Sequence, residues 1–328
     1  MDIAGARWKA PGPMIPGRAH FVWLGERLPF VYALAAASAA KRGGFERVLF
    51  HHTDLLDREP AFAFLARAPH VEARLLDPIA VVEQAGGSRL VDCYRELEQP
   101  AARSNVLRAA LLREQGGVYL DTDTVTLASL SGLRSRGGFF CGEERLVFPK
   151  PRGPRWASRL DPRALGRTLA RDVCRRLPSG YRHFRRIEHL YRTAVNNAVL
   201  GAEPRHPFVE ELVLRMATLP RSERRVRYAL GVHLLQSAVA EWRGGGLFVE
   251  PPEVFYPLGP EISEHWFREQ RDLDVAEVVT PRTLVVHLYA SVRIREKLDR
   301  VSPAWVRSHA RSEPYSALAE PIVDELGF

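Results

Sequence analysis

Cysteine and lysine are both scarce in this chain. Among its 328 residues there are three cysteines, Cys93, Cys141 and Cys174, at wide spacing. So few, so dispersed and odd in number, they exclude a disulfide scaffold and a clustered zinc site, and they fit reduced thiols in a cytoplasm. Long apolar runs are missing as well. Nothing approaches the ~20 uncharged apolar residues that span a bilayer. The best stretch, residues 31–40, is Ala-rich and stops at Lys41-Arg42, so a buried helix is expected there. Residues 1–16 carry charges without an apolar core, and no secretion signal is expected. Neither Gly86-Gly87 nor Gly137-Gly138 completes a phosphate-cradling loop. There is no internal repeat and no low-complexity linker, which predicts one globular unit over residues 1–328.

What is present is ample core material, 46% hydrophobic residues, and an uneven charge. The net charge is +8, and only four of the 47 basic residues are lysine. Residues 134–193 hold fifteen arginines and Lys150 against five acids, a net of +11. A local positive field attracts phosphates, acidic glycans or anionic surfaces, and it equally describes a merely solvated Arg-rich face. A basic nucleic-acid-binding protein would share this charge. However, the segment has few interleaved aromatics and no recognised module, so no nucleic-acid partner is expected.

The first 125 residues alternate strand-like and helix-like segments. Ala19-His20-Phe21-Val22-Trp23-Leu24, Arg47-Val48-Leu49-Phe50-His51-His52 and Val71-Glu72-Ala73-Arg74-Leu75-Leu76 read as strands. Helices are expected over 29–40, 62–67 and 101–114, the last ended by Gly116-Gly117, after which Val118-Tyr119-Leu120 forms a strand running into Asp121. This alternation predicts an α/β fold, a sheet flanked by helices that binds ligands beyond the carboxyl ends of its strands. The second half is more helical, with helices expected over 161–177, 187–200, 207–218 and 228–242, and late strands at Leu247-Phe248-Val249 and Leu284-Val285-Val286-His287. Asp161-Pro162 reads as a helix cap and first turn. In that helix Arg163, Arg167, Arg171 and Arg175 recur every four residues, and Leu165, Leu169, Val173 and Leu177 do the same on the opposite side. The expectation is that the Leu/Val stripe packs inward and the Arg stripe faces out, where it guides an anionic acceptor.

The chemistry concentrates in Asp121-Thr122-Asp123. Two carboxylates one residue apart at a strand end offer hard oxygens for Mg²⁺ or Mn²⁺ with substrate phosphates. A metal-dependent nucleotidyl or phosphoryl transferase uses the same pair, but normally with a Gly-rich loop or further acidic ligands.

The run Ser104-Asn105-Val106-Leu107-Arg108 through Gly116-Gly117-Val118-Tyr119-Leu120-Asp121-Thr122-Asp123 resembles the glycosyltransferase family with the sugar-binding region containing the DXD motif. Initiating α-mannosyltransferases, capsular polysaccharide transferases and, distantly, the large clostridial glucosylating toxins are of this kind. Ile15-Pro16-Gly17-Arg18-Ala19-His20-Phe21-Val22-Trp23-Leu24-Gly25, Asn196-Asn197-Ala198-Val199-Leu200 and His287-Leu288-Tyr289-Ala290-Ser291 extend the resemblance over residues 15–291. It implies a GT-A-like nucleotide-sugar-binding fold with a mixed sheet and a helical C-terminal elaboration. Residues 15–130 would form the donor half and 131–328 the acceptor half.

The resemblance further implies transfer from a UDP-sugar, or GDP-mannose, to a glycan, lipid-linked or anionic acceptor, with retention. Trp23 would stack on the base. Arg108 would face sugar or phosphate, Asp121 ribose or sugar, and Asp123 with His287 would hold the metal. Asn105, Asn197 and Ser291 would line the donor. Without the resemblance, Trp23 and His287 read equally as core, Arg108 as a salt-bridge partner, and Asn196-Asn197 as bridging residues inside a helix. Three departures stand out: Asn105 where the pattern has Asp, Gly231-Val232 where it often has Gly-Pro, and Val292 where it often has Trp, which leaves a lid contact to Trp266 or Trp305. The expected location is the cytoplasm, peripheral at the inner membrane face.

Overall fold

The computed structural model describes residues 14–147, 162–226 and 228–327. Its centre is a seven-stranded sheet in the order β3-β2-β1-β4-β7-β6-β8. The first four strands, β1 (Arg18–Trp23), β2 (Arg47–His52), β3 (Val71–Leu75) and β4 (Gly117–Leu120), pair in parallel. β5 (Thr124–Thr126) leaves this sheet. β6 (Phe139–Leu146) and β7 (Arg192–Ala202) then bring the second half of the chain into it, with β7 antiparallel to both β4 and β6, and β8 (Leu247–Glu250) parallel to β6. β5 pairs with β9 (Val285–His287) in a separate two-stranded sheet.

The strands read as continuous apolar runs because the sheet is buried on both faces. Neighbouring side chains go to opposite cores. Phe21, Val118 and Phe140 join one, while Val22, Tyr119 and Phe139 join the other. The first core is closed by α1 (Phe30–Arg42), α2 (Pro60–Leu65) and the C-terminal helix Pro314–Glu325. The second is closed by α3 (Pro78–Arg95), α4 (Pro100–Gln115) and α8 (Pro207–Thr218). Three further helices, α5 (Ser131–Arg134), α6 (Pro162–Arg176) and α7 (Gly180–Ile187), lie between β5 and β7 in the chain. Residues 31–40 are wholly buried in α1, and Lys41 and Arg42 sit in its last turn, where the helix dipole favours cations.

Gly116 and Gly117 end α4 with φ of 62° and 100°, and a Cβ on Gly117 would lie 2.7 Å from the Arg18 carbonyl oxygen. Only glycine permits both the turn and the approach of β4 to β1.

Several expectations are corrected here. α3 has no counterpart among the expected helices. Asp77 caps it by accepting from the amides of Ile79 and Ala80, and Gly87 at φ 63° kinks it, so Gly86-Gly87 is a bend inside a helix. β6 was also missed. The helix expected over 187–200 is not one: α7 ends at Ile187, and Asn196 and Asn197 lie on β7. The helix expected over 228–242 is broken at Gly231, leaving Leu234–Glu241. The proposed cap Asp161 lies outside the described residues.

The orientation expected for α6 is inverted. Leu165, Leu169 and Val173 are 57–60% exposed, whereas the side chains of Arg171 and Arg175 are only 13% and 11% exposed. Arg171 donates to Glu261 Oε2 at 2.8 Å, and Arg175 donates to the Glu261 carbonyl oxygen at 2.6 Å and pairs with Glu264 at 3.4 Å. Acids and carbonyls on a distant segment take the arginines inward, so they do not form an exposed stripe for an acceptor.

Candidate active site

β4 carries the chain to the carboxyl edge of the parallel strands and stops at Asp121, whose amide donates to the Ala198 carbonyl of β7 at 2.8 Å. The Thr124 hydroxyl donates back to the Asp121 carbonyl at 2.8 Å and closes the Asp121-Thr122-Asp123 turn. β5 then pairs Thr124 with His287 of β9, and the Leu288 amide donates to the Asp123 carbonyl at 2.9 Å. A residue 164 positions later in the chain is thereby fixed against the carboxylate pair. His287 Nε2 lies 3.1 Å from Asp123 Oδ1, and the Ala290 amide donates to Asp123 Oδ2 at 2.7 Å. That amide is aimed by Tyr289, whose backbone is left-handed at φ 58°.

Asp121 is held from the other side. Arg108 Nη2 donates to Asp121 Oδ1 at 2.8 Å, and Nη1 donates to the Asn197 carbonyl. The guanidinium lies 4.5 Å from the Tyr119 ring centroid, and the Tyr119 hydroxyl meets Ser104 at 3.0 Å. Asn197 Nδ2 donates to Asn105 Oδ1 at 2.9 Å. A Cβ on Gly231 would come within 2.8 Å of Asn105, so the bare backbone there fits the crevice beside Asn105, Arg108 and Asn197.

Thus Asn105, Arg108, Asp121, Asp123, Asn197 and His287 form one connected cluster. Trp23, at the end of β1, is half-buried against Tyr32 with ring centroids 4.5 Å apart, and its Nε1 is buried without a hydrogen-bond partner. Ser291 is exposed in the short helical segment Ala290–Ile294 that follows β9. Trp266 is no lid residue. It is fully buried, and its Nε1 donates to the His287 carbonyl at 3.1 Å. Trp305 donates to Glu313 at 3.1 Å. His51 and His52 also stand apart from the cluster: His51 meets His20 inside the sheet, and His52 Nδ1 meets the Asp54 carbonyl.

Residue patterns did not reveal Glu144. It is buried on β6, where its Oε2 accepts from the Tyr289 hydroxyl at 2.7 Å and from Asn196 Nδ2 at 2.8 Å. It therefore ties the turn that holds Asp123 to the strand that holds Arg108. The available signal was period-two spacing, which puts Glu144 on the same strand face as Phe140 and Gly142.

The donor set suits a hard divalent cation. Ligand atoms of Asp121, Asp123 and His287 all lie within 4.8 Å of one another. Burial pushes Asp121 up, Arg108 pulls against it, and the Asp123 charge adds to the rise. Burial would also raise Asp123, but the charge and hydrogen bond of His287 outweigh it and hold that carboxyl below its ordinary value. A bound cation would relieve the repulsion between the two carboxylates, and His287 Nδ1 remains a buried nitrogen without a partner.

The sheet is mixed, and the carboxylate pair stands at the edge of its parallel half. Residues 72–139, from β3 to the start of β6, match the family described as glycosyltransferase sugar-binding region containing DXD motif. The chain carries this region, with Asp121 and Asp123 inside it, and is a glycosyltransferase. No curated protein matches the chain. Among solved structures it is similar to the PaToxG glycosyltransferase, at 13% identity over 70% of each chain with a TM-score of 0.44. It is also similar to mouse xyloside xylosyltransferase 1, at 13% identity over 84% of this chain and 99% of that one with a TM-score of 0.45. A third likeness is the galactosyltransferase LgtC, at 12% identity over 86% of this chain and 94% of that one with a TM-score of 0.38. Likenesses this distant carry no residue assignments.

Proposed function

We propose that the chain transfers a sugar from a nucleotide-sugar, a UDP-sugar before GDP-mannose, to a glycan or lipid-linked acceptor, with retention and with Mn²⁺ or Mg²⁺. The observation that carries this reading is the convergence of Asp121, Asp123 and His287 within 4.8 Å at the sheet edge. Asp123 and His287 would hold the ion, and Asp121 would reach ribose or sugar. When bound, the ion supplies Lewis-acid stabilisation of the leaving diphosphate. Arg108, fixed by Asp121 and the Asn197 carbonyl, adds a preorganised positive charge to the same region. Trp23, with its unpartnered Nε1, is the base platform of this reading. Asn105, Asn197 and Ser291 line the donor. Three buried, unpaired cysteines support a cytoplasmic enzyme.

The test is a donor screen on chelator-treated protein, with and without added Mn²⁺, resolving the released nucleotides. UDP or GDP release that requires metal, and that falls by at least ~100-fold in Asp123→Ala, is expected from loss of electrostatic stabilisation. Release of a nucleoside monophosphate with sugar phosphate would instead mark a nucleotidyl or phosphoryl transferase. Metal-independent turnover, or full turnover in folded Asp123→Ala, would overturn the metal role.

A further inference from the structure

A cavity of about 440 Å³ opens among the end of α6, the stretch 267–269, the helix Arg295–Leu298 and the helix Pro303–His309. It shares no residue with the cluster around Asp121 and Asp123. Four cations line it, Arg176, Arg268, Lys297 and Arg300, against two acids, Glu269 and Glu313, which leaves the cavity a net charge of +2.

The cations are held without being neutralised. Arg268 donates to the carbonyls of Arg175 and Leu177, the latter at 2.8 Å, and Lys297 Nζ donates to the Phe267 carbonyl at 3.0 Å. A backbone carbonyl orients a cation but cancels none of its charge. The guanidinium groups of Arg176 and Arg300 make no hydrogen bond and no ion pair among the described residues. Neither acid pairs with any of the four. Glu313 is buried, and its Oε2 accepts from Trp305 Nε1 and from the Ser316 hydroxyl, both at 3.1 Å. Glu269 reaches His309, at 3.9 Å. One turn back on α6 the pattern is the reverse, with Arg171 and Arg175 tied to Glu261 and Glu264.

The charge and the walls define an occupant. Two free arginine forks match the oxygens of a phosphate group, and a phosphate monoester carries about −1.5 to −2 near neutral pH, which offsets the +2. The volume is in the range of small-molecule sites, roughly 300–1,000 Å³, and has room for more than the phosphate. Pro178, Phe267 and Trp305 add apolar wall, which suits the body of a ring.

We propose that this cavity binds a small phosphate monoester built on a ring, a sugar phosphate or a nucleoside monophosphate. Arg176 and Arg300 close on the phosphate, and Arg268 and Lys297 supply fixed positive charge. The proposal does not rest on which donor the enzyme uses.

The test is calorimetric titration of the full chain, chelator-treated to leave the donor site without metal. The probes are glucose 6-phosphate, AMP, glucose and inorganic phosphate. Saturable binding of at least one monoester is expected, at least ~10-fold tighter than glucose or inorganic phosphate, and the tighter of the two monoesters identifies the ring. Arg176→Ala with Arg300→Ala should weaken that binding at least ~10-fold, since it removes charge-assisted hydrogen bonds. Melting temperature and metal-dependent nucleotide release should stay at wild-type values in this variant. Three results would overturn the proposal: no saturable binding of either monoester, equal affinity for inorganic phosphate, or full affinity in the double variant, which would place the binding elsewhere. Sedimentation with phosphatidic acid vesicles that needs both arginines, without binding of the soluble monoesters, would overturn it in favour of a lipid headgroup.

Discussion

At the scale of single residues, Glu144 is the most exacting position in the site. One carboxylate oxygen serves both Tyr289 and Asn196 inside the core. Glu144→Leu would leave a hydroxyl and an amide unpaired, at roughly 1–3 kcal/mol each, and would free the turn that aims Ala290 at Asp123. Glu144→Gln keeps an acceptor. The expected outcome is a large fall in thermal stability and metal-dependent turnover for Leu and near-wild-type behaviour for Gln, read by calorimetry and nucleotide release. Burial lifts Glu144 to about 7, with the Tyr289 and Asn196 hydrogen bonds pulling back. The folded state thus keeps the proton that the unfolded chain has already lost. Wild type should therefore lose stability relative to Glu144→Gln as pH rises from the ordinary carboxylate range to about 7, and an unchanged difference over that window would refute the assignment. Sequence alone left a donor contact and a salt bridge equally open, and the structure has Arg108 paired with Asp121 at the site.

Elements depend on pairs of this kind within the sheet. His20 on β1 and His51 on β2 meet at 3.1 Å, and His20 Nε2 lies 3.0 Å from the Gly116 carbonyl at the turn into β4. A carbonyl requires an N–H, so His20 Nδ1 is the acceptor for His51 Nε2–H, and both rings are neutral. Burial lowers His20 to about 3, helped by the charge of His51, and lowers His51 to about 4, helped by Arg74. Because the folded values lie below the unfolded ones, the unfolded chain takes up protons first. Stability is complete above about 6.5 and is lost as pH falls from there towards about 4. His51→Gln retains a donor and cannot titrate. Its unfolding free energy from urea titrations should fall less between pH 7.5 and 5, by on the order of 1–3 kcal/mol. Equal slopes for the two proteins would reject the neutral pair.

The same level shows what sequence patterns could and could not carry. α4 and β4 are legible because their signals are local: Val106, Leu107, Ala110 and Leu111 at helical spacing, and Gly116-Gly117 at the end. β7 has helix-like local signals because its strand state is set by β4 and β6 and not by its own Asn- and Ala-rich composition. α6 showed its two stripes, but the inward face is chosen by Glu261 and Glu264, far away in the chain. In the site, the contiguous Asp pair was visible. The Glu144–Tyr289 contact joins residues 145 apart and leaves no local mark.

For the whole molecule, the two halves expected on either side of residue 130 are interleaved in one sheet. β7 hydrogen-bonds along all of β4, from Gly117 opposite Ala202 to Leu120 opposite Val199, and β9 is the partner of β5 among the described residues. Phe208, Leu212 and Met216 of α8 join the core that covers α3 and α4, while Trp266 and Tyr315 join the core beneath α1. A chain ending after Leu130 would lose these partners together. β4 would become an open edge, both cores would lose a wall, and Asp123 would lose His287 and Ala290. Such a fragment should show weak near-ultraviolet circular dichroism, bind a hydrophobic dye and melt without a cooperative transition, while the full chain melts cooperatively. A fragment that instead unfolded sharply and still bound UDP or GDP would show that the first half is a domain in its own right. The later strands would then be an addition to a finished fold.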